Sequence, residues 1–438
     1  MGGNQTEKKA LNSKDNRRRA GKRYFLTQVF PPTDDHGYSE KSAEVGDGLT
    51  ISREAGMDNR LVVLDQGISR EHCRLTPERR GLLLSDLGST NGTFVNGSQI
   101  GDCMVSNQDV IRVCDALFVV TEALPGRSAS LRHAGIVAAS RQMLDIGERL
   151  ERVARTSSRV LLLGETGTGK DLFASHLHTA SGRHGEMVTV NCATIQDGLI
   201  ESTLFGSREG AFTGARDRPG LLQQAHRGTL FLDEIGELPQ TMQAAILRVL
   251  ESGEVTPVGS VSSERVNVRF VAATNRLSPD GTVGTTLRAD LLARLEDETV
   301  VLPPLRERRE DIVPLIFSVV RLSGRPPSAV LAPDFVERAL YYPWPRNIRQ
   351  LLKAVEGCLT HLAPGKKLTP EGFDQRLSEL ARPRRLSKGP GKVAPPSADL
   401  LEALLKQEGG KIARVARRLG CHRQQVYRWL KRDETEPD

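Results

Sequence analysis

The sequence contains few cysteines and no pattern that would bring them together. Its six cysteines form no Cys-x-x-Cys pair and show no spacing typical of a zinc site. This argues against a disulfide framework and against a structural metal, and it favours reduced thiols in a cytoplasmic protein.

Long hydrophobic runs are also missing. The richest apolar stretch, ALFVVTEAL at 116–124, is about half of the roughly 18 residues that a membrane-spanning helix needs. The basic N-terminus lacks a signal-type apolar core, because YFLTQVF runs directly into PPTDDHG. The sequence therefore predicts no membrane segment and a cytoplasmic location.

Positive charge is concentrated at one end of the chain. The net charge is +7, and residues 381–432 carry fourteen Lys or Arg against three Asp or Glu. The last six residues carry four acids, which leaves residues 1–380 neutral by difference. A basic excess confined to this region predicts a module there that binds a polyanion.

Pattern and composition divide the 438 residues into several domains. Residues 24–123 hold short apolar strands and two Asn-Gly turn signals, which predict an antiparallel all-β domain. From 134 to 304 apolar strands alternate with helical patterns, which predicts a parallel sheet flanked by helices, and 305–380 reads as helical. A small helical unit covers 398–432. A basic tail at 1–23 is predicted to be disordered. Residues 124–133 and 381–397 are predicted linkers, and 433–438 form an acidic tail.

GETGTGK at 164–170 follows the buried strand RVLLL and opens a helix. Glycines let backbone N–H groups close around phosphates, and the helix N-terminus adds favourable potential. The alternative is an ordinary glycine-rich turn. The predicted ATP-binding residues in this stretch are Gly164, Glu165, Thr166, Gly167, Thr168, Gly169, Lys170 and Asp171. Asp171 stands where the motif normally has the Ser or Thr that contacts Mg²⁺.

A second apolar strand, GTLFLDEI at 228–235, ends in two carboxylates. We predict that Asp233 holds Mg²⁺, directly or through water, and that Glu234 orients or deprotonates the attacking water. A strand that ends in acids is common by itself, so the prediction depends on the phosphate-binding loop that precedes it.

Six long motifs in this order resemble the AAA+ module of bacterial enhancer-binding activators, which remodel RNA polymerase bound to sigma-54. They are GETGTGKD, VNCATIQDGLIESTLFGSREGAFTGA, GTLFLDEIGELPQTMQAAILRVLESGEVTPVGS, LRADLLARL, LPPLRERREDI and YPWPRNIRQL. The resemblance implies an α/β P-loop ATPase with a helical lid that uses ATP and Mg²⁺.

The resemblance also assigns roles to single residues. Asn191 matches the residue that links Glu234 to the nucleotide state, and Asn275 matches sensor I. Arg288 and Arg294 match arginine fingers that reach a neighbouring subunit, and Arg349 matches sensor II. Cationic donors at fixed positions suit the charge of a phosphoryl-transfer transition state. Fingers supplied in trans imply a homo-oligomeric ring, hexameric in the family.

An apolar ring between glycines is the most unusual feature of the sequence. In the family, GAFTGA is the loop that grips the sigma factor, which assigns sigma-factor contact to Gly210, Ala211, Phe212, Thr213, Gly214 and Ala215. The alternative is an ordinary surface turn. Besides Asp171, three replacements distinguish this chain from the usual pattern, namely Thr203 and Ser207 beside the loop and Arg346 in WPRN. RLEDETVV after the second finger is also more acidic than usual.

The N-terminal motif ISREAGMDNRLVVLDQGISREHCRL…SDLGSTNGTFVNG resembles a forkhead-associated (FHA) domain, a β-sandwich whose loops bind phosphothreonine peptides. The resemblance assigns phosphopeptide binding to Arg53, Ser69, Arg70, Thr90 and Asn91, with His72 bracing the loops. Forked guanidinium groups and a hydroxyl suit a dianionic phosphate. The alternative is that STNG and VNG are only hairpin turns. The ligand is another protein or this chain's own phosphorylated segment.

Residues 400–432 read as three short helices with breaks at 409–410 and 420–421, and they resemble a Fis-type helix-turn-helix. The last helix of such a unit enters the major groove of double-stranded DNA. The predicted DNA-binding residues are His422, Arg423, Gln424, Gln425 and Arg428. A solvated basic helix is the alternative.

The sequence thus predicts a multidomain protein: an all-β FHA sandwich, an α/β AAA+ ATPase with a helical lid, and an all-α helix-turn-helix. The leading functional hypothesis is an ATP-driven activator that acts on the sigma-54 holoenzyme from enhancer-like DNA under phosphothreonine control. Two alternatives stay open. One is a phosphopeptide-gated DNA-binding adaptor that uses ATP only for oligomerisation, and the other is an AAA+ remodeller of an unrelated substrate.

Overall fold

The computed structural model forms two compact units, residues 1–377 and 378–438. It describes residues 23–39, 41–56, 59–79, 81–124, 126, 131, 134–195, 198–212, 214–275, 287–381, 396, 398–419, 426–427 and 429–430. None of the helices in these described ranges has the length and apolar character required to cross a membrane. The five cysteines within them are free thiols.

The N-terminal part of the first unit is a sandwich of two β-sheets. Its strands are β1 (Phe25–Phe30), β2 (Ser42–Glu44), β3 (Leu49–Ser52), β4 (Arg60–Val62), β5 (Cys73–Glu78), β6 (Gly81–Asp86), β7 (Thr93–Val95), β8 (Ser98–Ile100), β9 (Asp102–Val105), β10 (Val110–Val113) and β11 (Ala116–Thr121). One sheet has the order β2-β1-β11-β10-β7-β8 and the other β4-β3-β5-β6-β9. All pairs are antiparallel except β3 with β4.

The sandwich core follows the two-residue period of its strands. On β6, Leu82 and Leu84 are fully buried between the sheets, whereas the alternate residues are only partly covered. Strand β11 differs, because all six of its residues are buried. Phe118 faces the sandwich core, and its neighbours Leu117 and Val119 lie on the opposite face of the same sheet. That outer face is therefore covered by another part of the unit.

An α/β module follows. Its parallel sheet contains β12 (Val160–Leu163), β13 (Met187–Asn191), β14 (Thr229–Asp233), β17 (Arg269–Thr274) and β18 (Glu298–Val301), in the order β13-β14-β17-β12-β18. A separate hairpin pairs β15 (Glu254–Val255) with β16 (Glu264–Arg265). The helices are α1 (Arg141–Ala154), α2 (Lys170–Ser181), α3 (Ile200–Phe205), α4 (Leu221–Gln224), α5 (Gln240–Ser252) and α6 (Ala289–Leu295). Apolar side chains cover both faces of the sheet, as its continuous hydrophobic strands predict.

A helical lid follows the α/β module. It comprises α7 (Ile312–Leu322), α8 (Pro327–Val330), α9 (Pro333–Tyr341), α10 (Asn347–Thr360) and α11 (Pro370–Ala381). Helix α9 packs on β11 of the sandwich, and the side chain of Phe317 on α7 lies against Gly37. The lid is thus the element that covers the outer face of the sandwich.

The second unit contains α12 (Ala398–Gln407) and α13 (Ile412–Arg418). Its small core is formed by Leu401, Val415, Ala416 and Val426. The predicted multidomain fold class is therefore confirmed.

Candidate functional site

The phosphate-binding loop joins β12 to α2. Gly164, Gly167 and Gly169 all have positive φ angles, of 154°, 81° and 101°, which glycine adopts without steric cost. The Lys170 ammonium lies inside the loop and donates to the carbonyl oxygens of Gly164 at 2.8 Å and Glu165 at 3.3 Å. Burial lowers the pKa of Lys170, while nearby carboxylates oppose that shift. The arrangement places a cation inside a glycine-rich loop.

Carboxylates meet this loop because parallel strands end at the same edge of the sheet. Asn191 and Asp233 are paired in register at the ends of β13 and β14. The Asn191 amide donates to Asp233 Oδ2 at 3.3 Å, so its contact is with Asp233 and not with the predicted partner Glu234. Glu234 instead accepts from the backbone N of Asn275 at 3.2 Å.

Glu234 is the second carboxylate at this edge of the sheet. It is partly exposed beside the phosphate-binding loop, and burial raises its pKa above the usual glutamate value, although Lys170 counteracts this. The side chain of Asn275, the predicted sensor I residue, donates to Thr166 Oγ1 at 2.9 Å and therefore lies against the loop. Asp171 is exposed at the start of α2.

The lid holds the phosphate-binding loop through polar contacts that the sequence analysis did not assign. Arg306 donates two hydrogen bonds to the Glu165 carboxylate, at 2.7 and 2.9 Å, and they lower the pKa of Glu165. Asn347 donates to Glu165 and to the Thr166 carbonyl, each at 3.1 Å. A Cβ at Gly167 would lie 2.4 Å from the Arg346 carbonyl oxygen, so glycine is required there.

A buried pair next to this contact ties the lid to the same loop from behind. Arg308 is almost fully buried and donates to the Thr168 carbonyl at 2.9 Å. It also lies 3.5 Å from Asp311, whose carboxylate accepts from Ser140 N at 2.7 Å. Arg306 and Arg308 lie in the motif LPPLRERREDI, and Asn347 lies in WPRN. The partners of these three side chains are known only from the structure.

The three predicted cationic side chains are all accessible to solvent. Arg349 is exposed on α10. A Cβ added at Gly167 would lie 3.1 Å from the Cβ of Arg349, so Arg349 lies beside the phosphate-binding loop. Arg288 pairs with Asp290 at 2.7 Å and Arg294 with Glu251 at 3.3 Å. The side chains of Arg288 and Arg294 are 40% and 54% exposed. Both are therefore available to a second molecule.

The GAFTGA loop is an exposed turn on a fixed stem. Ser207 forms backbone hydrogen bonds in both directions with Arg218, and its hydroxyl donates to the Arg216 carbonyl at 2.9 Å. Gly210 and Gly214 have φ angles of 83° and 85°. Between them, Phe212 is 45% exposed. The backbone N–H groups of Ala211 and Ala215 donate to the carbonyls of Arg208 and Phe212, respectively. Thr213 lies outside the described residues.

The predicted phosphopeptide residues converge at one end of the sandwich. Arg53 N donates to the Ser69 carbonyl at 3.2 Å, and Thr90 N donates to the Ser69 hydroxyl at 3.3 Å. Asn91 Nδ2 donates to the Gly67 carbonyl at 2.8 Å, and Arg70 is 80% exposed beside them. Two cationic side chains, a hydroxyl and backbone donors therefore surround one exposed surface.

Fully buried His72 braces these loops. Ser69 N donates to its Nδ1 at 3.2 Å, and its Nε2 lies 3.2 Å from the Gly92 carbonyl oxygen. The imidazole therefore joins the loop that carries Ser69 to the loop that carries Asn91.

The remaining predicted residues belong to the proposed DNA-binding unit. His422, Arg423, Gln424, Gln425 and Arg428 lie outside the described residues. Within the described ranges, no group of three or more His, Cys, Asp or Glu side chains is arranged to hold a metal ion. A magnesium ion that binds phosphates needs only one or two protein carboxylates, and Asp233 at the end of β14 suits that requirement.

Models of four protein families match the chain. They are the Sigma-54 interaction domain at residues 136–301, the FHA domain at 50–114, the AAA+ ATPase lid domain at 306–388 and a homeodomain-like domain at 402–437. The matches follow the order of the sandwich, the α/β module, the lid and the C-terminal helical unit.

Whole proteins are also similar. Transcriptional activator RocR of Bacillus subtilis (strain 168) is 36% identical over 312 residues, which cover 68% of each chain. Transcriptional regulatory protein GlrR of Escherichia coli (strain K12) is 32% identical over 427 residues, 91% of this chain and 92% of GlrR. The crystal structure of NtrX from Brucella abortus in complex with ATP is similar with a TM-score of 0.50 and 32% identity, and the match covers 68% of each chain.

These matches agree with the geometry of the phosphate-binding loop, the carboxylates of β14 and the GAFTGA turn. The chain belongs to the sigma-54-dependent transcriptional activators, and it is an ATP-binding AAA+ ATPase with an FHA domain before its ATPase module and a homeodomain-like domain after it.

Proposed function

We propose that this protein hydrolyses ATP to convert the sigma-54 RNA polymerase holoenzyme into open complexes, and that a phosphothreonine ligand of the FHA domain controls this activity. The observation that carries the proposal is the position of Phe212. An aromatic ring that is 45% exposed between two glycines leaves much of its apolar surface in contact with solvent, and exposed apolar groups of this kind mark contact sites. The sigma factor is the proposed contact.

ATP binds between the phosphate-binding loop and the lid in this proposal. Lys170 neutralises phosphate charge, and Asp233 holds Mg²⁺, which supplies further charge neutralisation when bound. Glu234 orients the attacking water and accepts its proton. Burial raises the pKa of Glu234, and a more basic carboxylate takes up a proton more readily at neutral pH.

Arg288 and Arg294 act in trans. Both are exposed and are paired only with exposed acids of the same chain, so little free energy opposes their transfer to a phosphate on a neighbouring subunit. This requires a homo-oligomer, and a head-to-tail ring of six copies gives each interface one active site.

One continuous segment connects the catalytic carboxylates to the loop. Asn191, at the end of β13, donates a hydrogen bond to Asp233. From Asn191 the chain continues through the 3-10 turn Cys192–Thr194 and helix α3 to Gly206. A change at Asp233 on ATP binding or hydrolysis would thus be transmitted to the stem of the GAFTGA loop. The coupling requires that the loop contact the sigma factor differently in the two nucleotide states.

DNA binding belongs to the C-terminal unit. The described helices α12 and α13 and the basic sequence around them suit a helix-turn-helix. His422, Arg423, Gln424, Gln425 and Arg428 remain the proposed contacts to enhancer-like double-stranded DNA.

The test compares Thr213→Ala and Phe212→Ala with the matched control Val261→Ala, a fully exposed apolar residue in the neighbouring β15–β16 connection. ATP turnover and open-complex formation on a sigma-54 promoter are measured for each. Both loop variants should keep ATP turnover and lose open complexes, and the control should keep both. Retained transcription in the loop variants would contradict the proposal. Absence of ATP hydrolysis in the parent protein would favour the adaptor alternative.

A further inference from the structure

A cleft of about 670 Å³ lies between the FHA domain and the lid. Its FHA wall includes Asp65, Gly67, Asn91 and Asp115, and its lid wall is formed mainly by helix α9. The volume lies within the range of about 300 to 1,000 Å³ that is typical of ligand sites. The cleft is therefore large enough for several residues of a peptide.

The cleft begins where the proposed phosphate site ends. Asn91 lines the cleft and directly follows Thr90, whose backbone N–H is held by Ser69. Gly67 also lines it and accepts the hydrogen bond from Asn91. A peptide that places its phosphate near Ser69 and extends past Asn91 would enter the cleft.

The two ends of this surface carry opposite charge. At the phosphate end, Arg53 and Arg70 share one carboxylate, Glu54, with each ion pair at 3.7 Å. That end therefore has a surplus of one positive charge.

At the other end, Asp65 and Asp115 line the FHA wall, and Asp334 and Glu337 line the lid wall against one arginine, Arg112. The other cation there, Arg338, is paired with Asp374 at 2.9 Å. The cleft therefore keeps a surplus of negative charge after its ion pairs are counted.

The lid wall is held in place by the FHA domain itself. Arg112 on β10 donates to Asp334 Oδ1 at 2.7 Å and also to Glu337. In a second contact, Arg309 donates to Gln108 of the FHA domain through its backbone N–H and its guanidinium, each at 2.6 Å. Both walls are thus fixed before a peptide arrives, which lowers the ordering cost of binding.

We propose that this cleft is the second half of the phosphopeptide site and that it binds a lysine or arginine of the same phosphothreonine peptide. The inference rests on the proposed recognition of phosphothreonine by the FHA domain. The preferred ligand is therefore a peptide with one phosphothreonine and a nearby basic residue. Such a peptide contacts FHA loops with its phosphate and helix α9 of the ATPase lid with its basic side chain.

The test uses the full chain and three short synthetic phosphothreonine peptides that are flanked by lysine, alanine or glutamate. An unphosphorylated lysine peptide serves as the fourth probe. We expect the lysine-flanked phosphopeptide to bind about fivefold more tightly than the alanine one at low salt, as expected for one or two solvent-accessible ion pairs. The preference should decrease at high salt.

Asp334→Asn and Asp115→Asn remove one charge from each wall. The matched control is Asp145→Asn, an exposed acid on α1 that, like Asp334, pairs with an arginine. Each cleft variant should reduce the lysine preference to about twofold or less, while phosphothreonine is still preferred over threonine. The control should behave as the parent.

Three results would overturn the inference: no lysine preference in the parent, an unchanged preference in Asp334→Asn, or an equal loss in Asp145→Asn. Loss of the preference in Asp115→Asn alone would restrict the site to the FHA domain and refute the role of the lid. Failure of the parent to distinguish phosphothreonine from threonine would instead reject the proposed FHA function, so the two failures are distinguishable.

Discussion

Asn347 is predicted to be a principal polar contact between the lid and the phosphate-binding loop. Its buried side chain accepts from Leu305 N at 2.7 Å and donates to Glu165 and to the Thr166 carbonyl at 3.1 Å. Asn347→Ala removes all three hydrogen bonds and leaves the Leu305 N–H buried without a partner. Asn347 also has a φ of 50°, which alanine tolerates poorly. Together these effects should lower the free energy of unfolding of the lid by about 3 to 5 kcal/mol.

The assay is urea unfolding followed by tryptophan fluorescence. The sequence has two tryptophans, and Trp344 is fully buried in the lid, where its indole N–H donates to the Ala339 carbonyl at 2.9 Å. In a Trp429→Phe background, the fluorescence therefore reports on the lid. The midpoint for Asn347→Ala should shift clearly to lower urea concentration.

Asn347→Gly separates the two effects, because glycine tolerates the positive φ and lacks the hydrogen bonds. It should be destabilised by on the order of 0.5 to 1 kcal/mol less than the alanine variant. A change below about 1 kcal/mol in both variants, which is less than the loss of one buried hydrogen bond with an orphaned partner, would refute the assigned role of this side chain.

Three further results are expected. Burial raises the pKa of Glu310 from its ordinary value near 4.5 to about 7. The folded chain therefore keeps a proton that the unfolded chain releases, and stability should fall as pH rises from 4.5 to 7. Glu310→Gln should flatten this decline in melting temperature. Arg308→Met should cost about 3 to 5 kcal/mol in the same urea assay, because it leaves Asp311 buried without its cation. Glu234→Gln should retain ATP binding and lose at least about a hundredfold in phosphate release.

Each of these expectations has its own contradicting outcome. A pH profile in Glu310→Gln identical to that of the parent would show that another group titrates. An Arg308→Met protein as stable as its parent would show that the pair does not support the lid. Hydrolysis at the parental rate in Glu234→Gln would remove the proposed base, whereas loss of ATP binding in that variant would show a structural role.

The sequence predicts those parts of the site whose geometry depends on residues close together in the chain. The glycine spacing at 164–170 fixes a loop between a strand and a helix, and the structure shows that loop with Lys170 inside it. Strands that alternate with helices form a parallel sheet, so the carboxyl ends of β13 and β14 meet, and Asn191 lies beside Asp233. The hydrogen bond to Asp233 in place of Glu234 depends on side-chain orientation, which the resemblance did not specify.

Contacts between distant segments could not be predicted. Arg306 and Asn347 reach Glu165 from 141 and 182 residues away. Asparagine adopts a positive φ more often than most residues, but the sequence does not show which asparagine does so. The contact between the sandwich and the lid could not be predicted either. The unbroken apolar run of β11 is typical of a strand buried on both faces, but nothing in the run indicates that the lid covers one of them.

In the proposed mechanism, nucleotide state controls contact between the GAFTGA loop and the sigma factor. The most direct measurement places a photo-crosslinking amino acid at position 212 and compares crosslinks to sigma-54 with ADP, with a non-hydrolysable ATP analogue and with a transition-state analogue. We expect strong crosslinking in at least one ATP-like state and little with ADP. Equal crosslinking in all three states, or none in any of them, would contradict it.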